Sequence, residues 1–249
     1  MMSRLNGKVV IITGASSGIG AALARSCSKR GAHVALAARR GEQLAEVAVT
    51  CPGETMVVTC DVTVSEDRQR LVNAAVERWE RIDVLVNNAG IGLYAPFDKT
   101  GEADLRALME VDFMAVFGMT QLVLPLMRAT GRGAIVSVAS TGGLIAHAPN
   151  VSAYLAAKHA VVGLSRGLRR DLEGTGISVQ VACPHLTDTG FFETGVGAEE
   201  MQVVAAPLRC LMDTAEDVAE GTVEQIGADP FVIFPTARSR AAYERFRDL

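Results

Sequence analysis

The sequence predicts a single α/β domain over residues 1–249, built on a doubly wound, seven-stranded parallel sheet flanked by helices. Three observations lead to this prediction. The chain has 249 residues, 49% hydrophobic and 21% charged, which is enough to bury one sizeable core. Seven short β-branched runs alternate with helix-compatible segments. These runs are almost continuously apolar, as expected for strands covered on both faces of a parallel sheet.

The elements follow one another without a linker, repeat or low-complexity tract. The predicted strands are residues 8–14, 33–39, 55–61, 83–90, 133–140, 177–184 and 231–235. The predicted helices are residues 18–30, 41–49, 65–80, 102–129, 152–173 and 215–227. After the last strand, the sequence TARSRAAYERFRDL predicts a basic amphipathic helix.

Composition narrows the class of partner. The net charge is −4 with acids and bases interspersed, so we expect no nucleic-acid partner and no anionic membrane surface. The longest apolar run, FMAVFGMTQLVLPLM, is interrupted by polar residues and proline and is shorter than a membrane span. Five cysteines form no CxxC pair, and no metal-ligand spacing occurs in the sequence. We therefore expect a cytoplasmic protein that binds small molecules and no metal.

A glycine-rich loop, TGASSGIG, joins the first predicted strand to the first predicted helix. Gly14 permits a sharp turn, Gly18 removes a Cβ that would block close backbone approach, and Gly20 lets the helix pack closely. The free N–H groups of the helix terminus would face a pyrophosphate. The other predicted contacts of this loop are Ser16, Ser17 and Ile19. The alternative is a plain structural turn, since such loops also occur without a ligand.

Two arginines stand at the end of the second predicted strand. An acid at this place binds the ribose hydroxyls of adenosine, whereas an arginine accommodates a 2′-phosphate. The chain has Arg39 and Arg40 there and no acid before Glu42. Since guanidinium matches phosphate geometry, we expect NADP(H) in preference to NAD(H). Two alternatives stay open: the arginines open a solvated helix, or Glu42 reaches the ribose.

Tyr154 and Lys158 are four positions apart in the predicted helix 152–173 and therefore lie on one face of it. An ammonium near a phenol stabilises the phenolate, so we expect the pKa of Tyr154 to fall from about 10 toward the working pH. This pair predicts a general acid and base. A pair that arises by chance on a helix surface is the alternative.

Four motifs together resemble the short-chain dehydrogenase/reductases of the ordinary single-domain type. They are TGASSGIG (13–20), NNAG (87–90), the serine that ends IVSVAS (135–140), and YLAAK (154–158). The resemblance runs from about residue 6 to residue 190 with the motifs in the family's order. It implies a Rossmann-fold enzyme that transfers hydride between a nicotinamide and a carbonyl or secondary alcohol.

The resemblance also implies roles for individual residues. Tyr154 is the proton donor in reduction and the acceptor in oxidation, Lys158 lowers its pKa and binds the nicotinamide ribose, and Ser140 polarises the substrate oxygen. These roles agree with the chemistry, because hydride addition builds negative charge on oxygen that placed donors stabilise. The further implied cofactor contacts are Asp61, Val62, Asn88, Ala89, Gly90, Pro184, Thr187 and Thr189.

The sequence departs from the family pattern at two site positions. Asp112 stands where the family usually has an asparagine that anchors a proton-relay water, so either the relay is altered or the carboxylate perturbs Lys158. We therefore include Asp112 in the catalytic set. His185 replaces a glycine near the nicotinamide, while Thr189 still matches the threonine that contacts the carboxamide.

The loop between the serine and the tyrosine is one residue longer than usual, with Ser140 and Tyr154 separated by 14 positions. Ser137 and Thr141 are less favoured alternatives to Ser140. His147 lies in this loop, and we interpret it as an ordinary loop histidine.

Residues 186–212 combine three glycines with several large apolar side chains. Such a segment predicts a mobile lid over an apolar pocket, with ordinary surface packing as the alternative. Tyr94 and Phe97 would add aromatic walls. The expected substrate is a moderately apolar ketone or alcohol.

The predicted helices 102–129 and 152–173 are apolar most of the way round, which predicts a homodimer or homotetramer; deep burial is the alternative. The sequence thus favours an NADP(H)-dependent carbonyl reductase or alcohol dehydrogenase. The competing hypothesis is a cofactor-binding regulator with little turnover, suggested by Asp112 and His185. A nucleotide-sugar epimerase is disfavoured, because it usually needs a larger C-terminal substrate domain.

Overall fold

The residues described by the computed structural model, 4–146 and 148–248, contain one large parallel sheet with helices on both faces. Its strands are β1 (Val9–Thr13), β2 (His33–Ala38), β3 (Thr55–Thr59), β4 (Val84–Asn87), β5 (Gly133–Val138), β6 (Ile177–Ala182) and β9 (Val232–Ile233). They lie in the order β3-β2-β1-β4-β5-β6-β9, and each neighbouring pair is parallel. The predicted seven-stranded, doubly wound sheet is confirmed.

Nine α-helices accompany these strands in the described part of the chain. They are α1 (Gly18–Lys29), α2 (Gly41–Val49), α3 (Ser65–Trp79), α4 (Glu102–Met109), α5 (Ala115–Thr130), α6 (Ser152–Asp171), α7 (Ala198–Ala205), α8 (Ala215–Val223) and α9 (Ala237–Phe246). Two short strands, β7 (Thr187–Asp188) and β8 (Asp213–Thr214), form a separate small sheet. The C-terminal helix was predicted, whereas α7 was not.

The predicted strands extend too far at their C-terminal ends. The strand expected over 83–90, for example, ends at Asn87, because the NNAG residues leave the sheet to form a loop. The predicted helix 102–129 is divided by a π-helical turn, Glu110–Met114, between α4 and α5. Such turns often occur at functional sites, and this one carries Asp112.

Side chains from the two faces of the sheet enter two separate cores. Along β1, Val10 and Ile12 pack in one cluster with α1 and α8, whereas Ile11 packs in the other with α3 and α5. This alternation follows from the two-residue period of a strand. Both faces are covered, which explains why the strands read as continuously apolar.

The N-terminal edge of the sheet holds a buried carboxylate, Asp83. It accepts the N–H of Val9 at 2.9 Å and pairs with Arg81 and with Lys8, the latter at 3.4 Å. Burial opposes ionisation, but the bonds from Arg81 and Val9 and the charge of Lys8 hold the pKa of Asp83 below its usual value. Asp83 thus ties β1 to the start of β4.

The continuous helical stretch Glu102–Thr130 contains an 18-residue window with a mean hydropathy of 1.5, so by length and composition it could cross a membrane. It is longer than the apolar run seen in the sequence because α4, the π turn and α5 are continuous. Its inner side packs on the sheet through Met119, Val123 and Met127, which are fully buried. Packing against the sheet therefore explains the apolar residues on the inner side of this stretch.

Candidate active site

The loops that leave the carboxyl ends of β1, β4, β5 and β6 converge at one edge of the sheet. Strand order reverses between β1 and β4, and ligands of such sheets bind at this switch point. All the residues expected to act on substrate or cofactor lie on these loops, on the loop after β2 and β3, or on the adjoining helices. His147 lies outside the described residues.

The glycine loop after β1 is closely packed. Gly14 has a φ of +66°, and a Cβ there would lie 2.8 Å from the Cα of Ala89. A Cβ on Gly20 would lie 2.3 Å from the carbonyl oxygen of Gly14, and one on Gly18 would lie 3.2 Å from Thr189. Each glycine therefore has a steric reason, and the loop contacts two of the other predicted cofactor segments.

The NNAG loop is tied to β1 by Thr13, which the sequence analysis did not select. The Thr13 hydroxyl accepts the N–H groups of Asn88 (3.0 Å) and Ala89 (3.1 Å), and the Asn88 amide donates to the Thr13 carbonyl at 2.9 Å. Gly90 borders the catalytic side chains, since a Cβ there would lie 3.3 Å from Lys158 Nζ. A buried threonine at a strand end was the signal available for Thr13.

The start of α1 is free of a side-chain cap, because Ser17 makes no capping hydrogen bond. Arg40 instead engages the serine hydroxyls, with Nη2 at 2.9 Å from Ser16 Oγ and 2.7 Å from Ser17 Oγ. Arg39 is exposed beside it. Backbone N–H groups at a helix terminus, with glycines that admit a close ligand, fit the pyrophosphate of a dinucleotide.

Asp61 lies beyond β3 at the same edge and accepts the hydroxyl of Thr63 at 2.7 Å. The hydrogen bond from Thr63 is the main cause that holds the pKa of Asp61 below its usual value, and the charge of Arg39 adds to it. Val62, next to it, is buried. Asp61 is therefore an ionised acceptor close to Arg39.

Helix α6 presents Tyr154 and Lys158 one turn apart, with Lys158 Nζ 5.6 Å from the centre of the Tyr154 ring. Ser140 follows β5 and hydrogen-bonds the Tyr154 side chain, while its Oγ also accepts the N–H of Gly142 at 3.0 Å. The two alternative hydroxyls are placed differently. Ser137 is buried within β5, and Thr141 is fully buried against His185.

Lys158 is held by a buried ion pair with Asp112. The Nζ to Oδ2 distance is 2.9 Å, and the two side chains are 6% and 0% exposed. Asp112 Oδ1 accepts the N–H of Ile91 at 2.8 Å, and Lys158 also donates to the Val138 carbonyl at 3.4 Å. Burial lowers the pKa of Lys158, but the charge of Asp112 and the hydrogen bond to its carboxylate contribute to raising it above its usual value. The lysine is therefore a fixed cation.

The expected fall in the pKa of Tyr154 is wrong for this structure, in which that pKa is raised. Desolvation of the phenol, whose side chain is partly buried, is the largest cause, and the charge of Asp112 adds to it. Together they outweigh Lys158 and the Ser140 hydrogen bond, which act in the opposite direction. The sequence pattern showed the lysine but neither the burial nor the carboxylate behind it.

The loop after β6 is anchored to its surroundings through His185. Its Nδ1 lies 3.0 Å from Thr141 Oγ1, and its N–H donates to Ser239 Oγ at 3.3 Å. The carbonyl of Pro184 accepts the N–H of Thr141 at 2.8 Å, and Thr187 donates to the His185 carbonyl at 3.0 Å. The loop predicted to border the nicotinamide thus lies against the turn that carries Ser140.

The segment 186–212 lies over this site. The Phe191 ring lies 5.9 Å from the Tyr154 ring, and Val196 accepts the N–H of Tyr94 at 2.9 Å. Tyr94 in turn accepts a hydrogen bond from the Asn150 side chain at 3.3 Å. Phe97, by contrast, is 83% exposed. Phe191 therefore contributes aromatic surface beside the phenol, Tyr94 contacts the segment 186–212, and the Phe97 ring lies in solvent.

With this geometry in place, comparison with known proteins identifies the family. Residues 8–199 match the family model of the short chain dehydrogenases. The chain belongs to this family, as its motifs indicated.

Relatives of known activity share most of the chain. It is 36% identical over 194 residues to the 3-oxoacyl-[acyl-carrier-protein] reductase of Thermotoga maritima, covering 77% of this chain and 76% of that protein. It is 38% identical over 187 residues to the meso-2,3-butanediol dehydrogenase of Serratia marcescens, covering 75% and 74%.

A solved structure agrees over nearly the whole length. A short-chain dehydrogenase/reductase from Burkholderia phymatum in complex with NAD superposes with a TM-score of 0.89 and 28% identity, over 98% of this chain and 94% of that one. The protein is thus an oxidoreductase of this family, acting on alcohol or keto groups, whose structural relative holds a nicotinamide cofactor.

Proposed function

We propose that the protein is an NADP(H)-dependent oxidoreductase that transfers hydride between the nicotinamide and the carbonyl or secondary alcohol of a small, apolar substrate. The observation that carries this proposal is the convergence of Ser140, Tyr154 and Lys158 at the switch point. A hydroxyl, a phenol and a buried ammonium grouped in this way form a proton-transfer site.

The chemistry of reduction follows from these positions. A nicotinamide cofactor bound at the glycine loop would supply hydride to the carbonyl carbon, and negative charge would develop on the carbonyl oxygen. The Ser140 hydroxyl would stabilise that charge, and Tyr154 would deliver the proton. Lys158 would hold its positive charge beside the phenol throughout. In oxidation the same groups act in reverse, so Tyr154 must first lose its proton.

The preference for NADP(H) is supported by Arg39 and Arg40. Arg40 follows β2, where the adenosine ribose binds in this fold, and its guanidinium lies against Ser16 and Ser17 at the start of α1. Phosphate and guanidinium form charge-assisted hydrogen bonds, and no acid ends β2 to select unphosphorylated ribose. Glu42 lies in the first turn of α2 and offers the opposing reading, NAD(H).

An apolar substrate is supported by the lid. The Phe191 ring is tilted against Tyr154 and meets the Phe192 ring edge to face, and Met201 is buried near Gly92. A substrate that reaches the phenol would contact these aromatic and thioether side chains or move them aside, so the site presents an apolar surface to it. We expect it to favour ketones with apolar substituents.

A homodimer or homotetramer is part of the same proposal. The outer side of the π turn and α5 exposes Met114 (45%) and Phe117 (43%). Large apolar side chains of this kind are buried when two such helices meet their symmetry mates. Light scattering at micromolar concentration should show at least a dimer, and a monomer would refute it.

A cytoplasmic location is also proposed. Within the described residues all five cysteines are free thiols, and four of them are buried. Free thiols of this kind fit a reducing compartment.

The competing candidate is a regulator that binds cofactor with little turnover. It is favoured by the raised pKa of Tyr154, since a phenol that keeps its proton is a poor base. The deciding experiment follows absorbance of NADPH and of NADH with a panel of apolar ketones, next to binding titrations of both cofactors. Turnover with NADPH supports the enzyme. Tight cofactor binding without turnover on any ketone, or on the matching alcohols at high pH, supports the regulator.

A further inference from the structure

Asp112 is placed by the π-helical turn between α4 and α5 so that its carboxylate faces inward behind the catalytic lysine. One oxygen accepts the N–H of Ile91 and the other pairs with Lys158. Gly90 closes the third side, because a Cβ there would lie 3.2 Å from Asp112 Oδ2. The ammonium and the carboxylate are therefore fixed together beside the phenol.

The charges around Tyr154 nearly balance. Its neighbours with ionisable or polar groups are Lys158 on α6, Asp112 on the π turn, Ser140 after β5 and Cys183 after β6. Burial raises the pKa of the Cys183 thiol to about 12, so it stays neutral over the working range. The His185 ring is hydrogen-bonded to the Thr141 hydroxyl, next to Ser140 in the chain, and is not among the groups that act directly on Tyr154. One cation and one anion thus act on the phenol, whereas a lysine held by a neutral side chain would act alone.

We infer that Asp112 is a positioning residue whose carboxylate compensates the charge of Lys158 and thereby keeps Tyr154 in the protonated form that carbonyl reduction needs. The inference rests on the proposed function and extends it. Near neutral pH the resting site holds a proton ready for a developing alkoxide. Oxidation of an alcohol requires the phenolate and should become efficient only as the pH rises.

The test replaces the carboxylate by its neutral isostere in Asp112→Asn. The chain has three tyrosines, so the ultraviolet absorbance of tyrosinate can be followed directly. Subtracting the titration of the same protein that also carries Tyr154→Phe isolates the Tyr154 signal. In Asp112→Asn that signal should appear at lower pH than in wild type, because Lys158 then acts on the phenol without a counter-charge. This measurement needs neither cofactor nor substrate.

The kinetic readout uses the best substrate pair found. In the pH–rate profile of alcohol oxidation, the rise in rate on the acid side should occur at lower pH in Asp112→Asn than in wild type. At a fixed pH within this rise, the rate of the variant relative to its own plateau should increase about threefold or more. If the protein turns out to have no turnover, the proposed function fails, but the absorbance titration still decides the role of Asp112.

Asp83→Asn is the matched control. Asp83 is also a buried aspartate that accepts a backbone N–H and pairs with a lysine, but it lies at the N-terminal edge of the sheet. Its replacement should lower the melting temperature and leave the titration of Tyr154 unchanged. Asp112→Ser, which also removes the charge, takes the place of Asp112→Asn if that variant does not fold. A Tyr154 signal at the wild-type pH or higher in a folded, charge-free variant overturns the inference.

Discussion

Two regions, the glycine loop after β1 that would bind phosphate (the phosphate loop) and the segment 186–212 that we propose as a lid, both contain a glycine packed closely against a backbone carbonyl. The surrounding structure supports the two regions differently. A Cβ on Gly20 would lie 2.3 Å from the Gly14 oxygen, and one on Gly197 would lie 1.8 Å from the Tyr94 oxygen. Around Gly20 the residues of α1 are buried in the main core. Around Gly197 the lid helix α7 leaves Val203 75% exposed.

This difference separates two kinds of region. The phosphate loop is part of a sheet-and-helix unit that cannot shift without disturbing the core. The outer part of the lid packs on Leu93, Tyr94 and Tyr154, with Met201 against Gly92. Segments with few buried contacts open at low free energy. We therefore expect changes in the lid beyond the predicted cofactor contacts Thr187 and Thr189 to alter substrate handling, and changes near the loop to alter cofactor binding.

The largest expected effect lies at the border between the two regions. Tyr154→Phe removes one hydroxyl and should lower turnover by about 10²–10⁴-fold, the usual contribution of general acid catalysis. Binding of NADPH should stay within about twofold of wild type, because no group of the phosphate loop changes. Steady-state kinetics and fluorescence titration measure the two quantities. Turnover near the wild-type rate would show that the Tyr154 and Lys158 pair is structural.

The next effect is confined to the cofactor region. Arg39→Asp and Arg40→Asp should each weaken NADPH binding by about one to two decades, since a charge-assisted hydrogen bond contributes roughly 1.5–3 kcal/mol. Binding of NADH should change much less. Glu42→Gln is the control for the opposing reading, and a selective loss of NADH binding there would support NAD(H). Equal affinities of the wild type for the two cofactors would contradict the NADP(H) proposal.

What the sequence could predict follows the same division. The strands, the glycine loop and the Arg39–Arg40 pair were found because their signals are local: an apolar run, a glycine spacing, a charge at a strand end. The glycine positions are dictated by backbone approach, as Gly14 against Ala89 shows. Helix α7 was missed because Gly195 and Gly197 make the surrounding sequence look like a loop.

The electrostatics of the site were beyond local reasoning. The ion pair between Asp112 and Lys158 joins residues far apart in the chain and depends on a π-helical turn that no spacing rule reveals. The predicted fall in the pKa of Tyr154 was wrong for the same reason, because desolvation of the phenol and the distant Asp112 carboxylate raise that pKa. The sequence offered two readings of Asp112, and the direct contact with Lys158 favours the second.

A smaller effect is expected within the lid. Gly197→Ala would place a methyl group against the Tyr94 carbonyl at a φ of +72°, so the lid must move outward. A non-glycine residue held there costs about 1–3 kcal/mol, and we expect the KM for ketone to rise roughly fivefold or more. Gly227→Ala is the matched control, because Gly227 has a φ of +71° but nothing within 4 Å. A rise in the Kd for NADPH instead would show that the lid and the cofactor region are coupled.

The smallest effect concerns the contact between His185, which directly precedes the lid, and the C-terminal helix α9. Ser239 is fully buried and its Oγ accepts the N–H of His185, so α9 supports the loop that follows β6. Ser239→Ala removes the hydroxyl that accepts this N–H and contacts Thr236, and it should lower the free energy of unfolding by about 1 kcal/mol, a shift of roughly 2–4 °C in Tm. Because His185 also contacts Thr141, next to Ser140, a fall of kcat severalfold should accompany it. Ser178→Ala removes a weaker bond, 3.4 Å to the Gly133 carbonyl, and should change neither quantity appreciably. Equal losses of stability in both variants, with full kcat, would contradict this prediction. In that case α9 stabilises the fold but does not position the catalytic residues, and the lid and the C-terminal helix act independently.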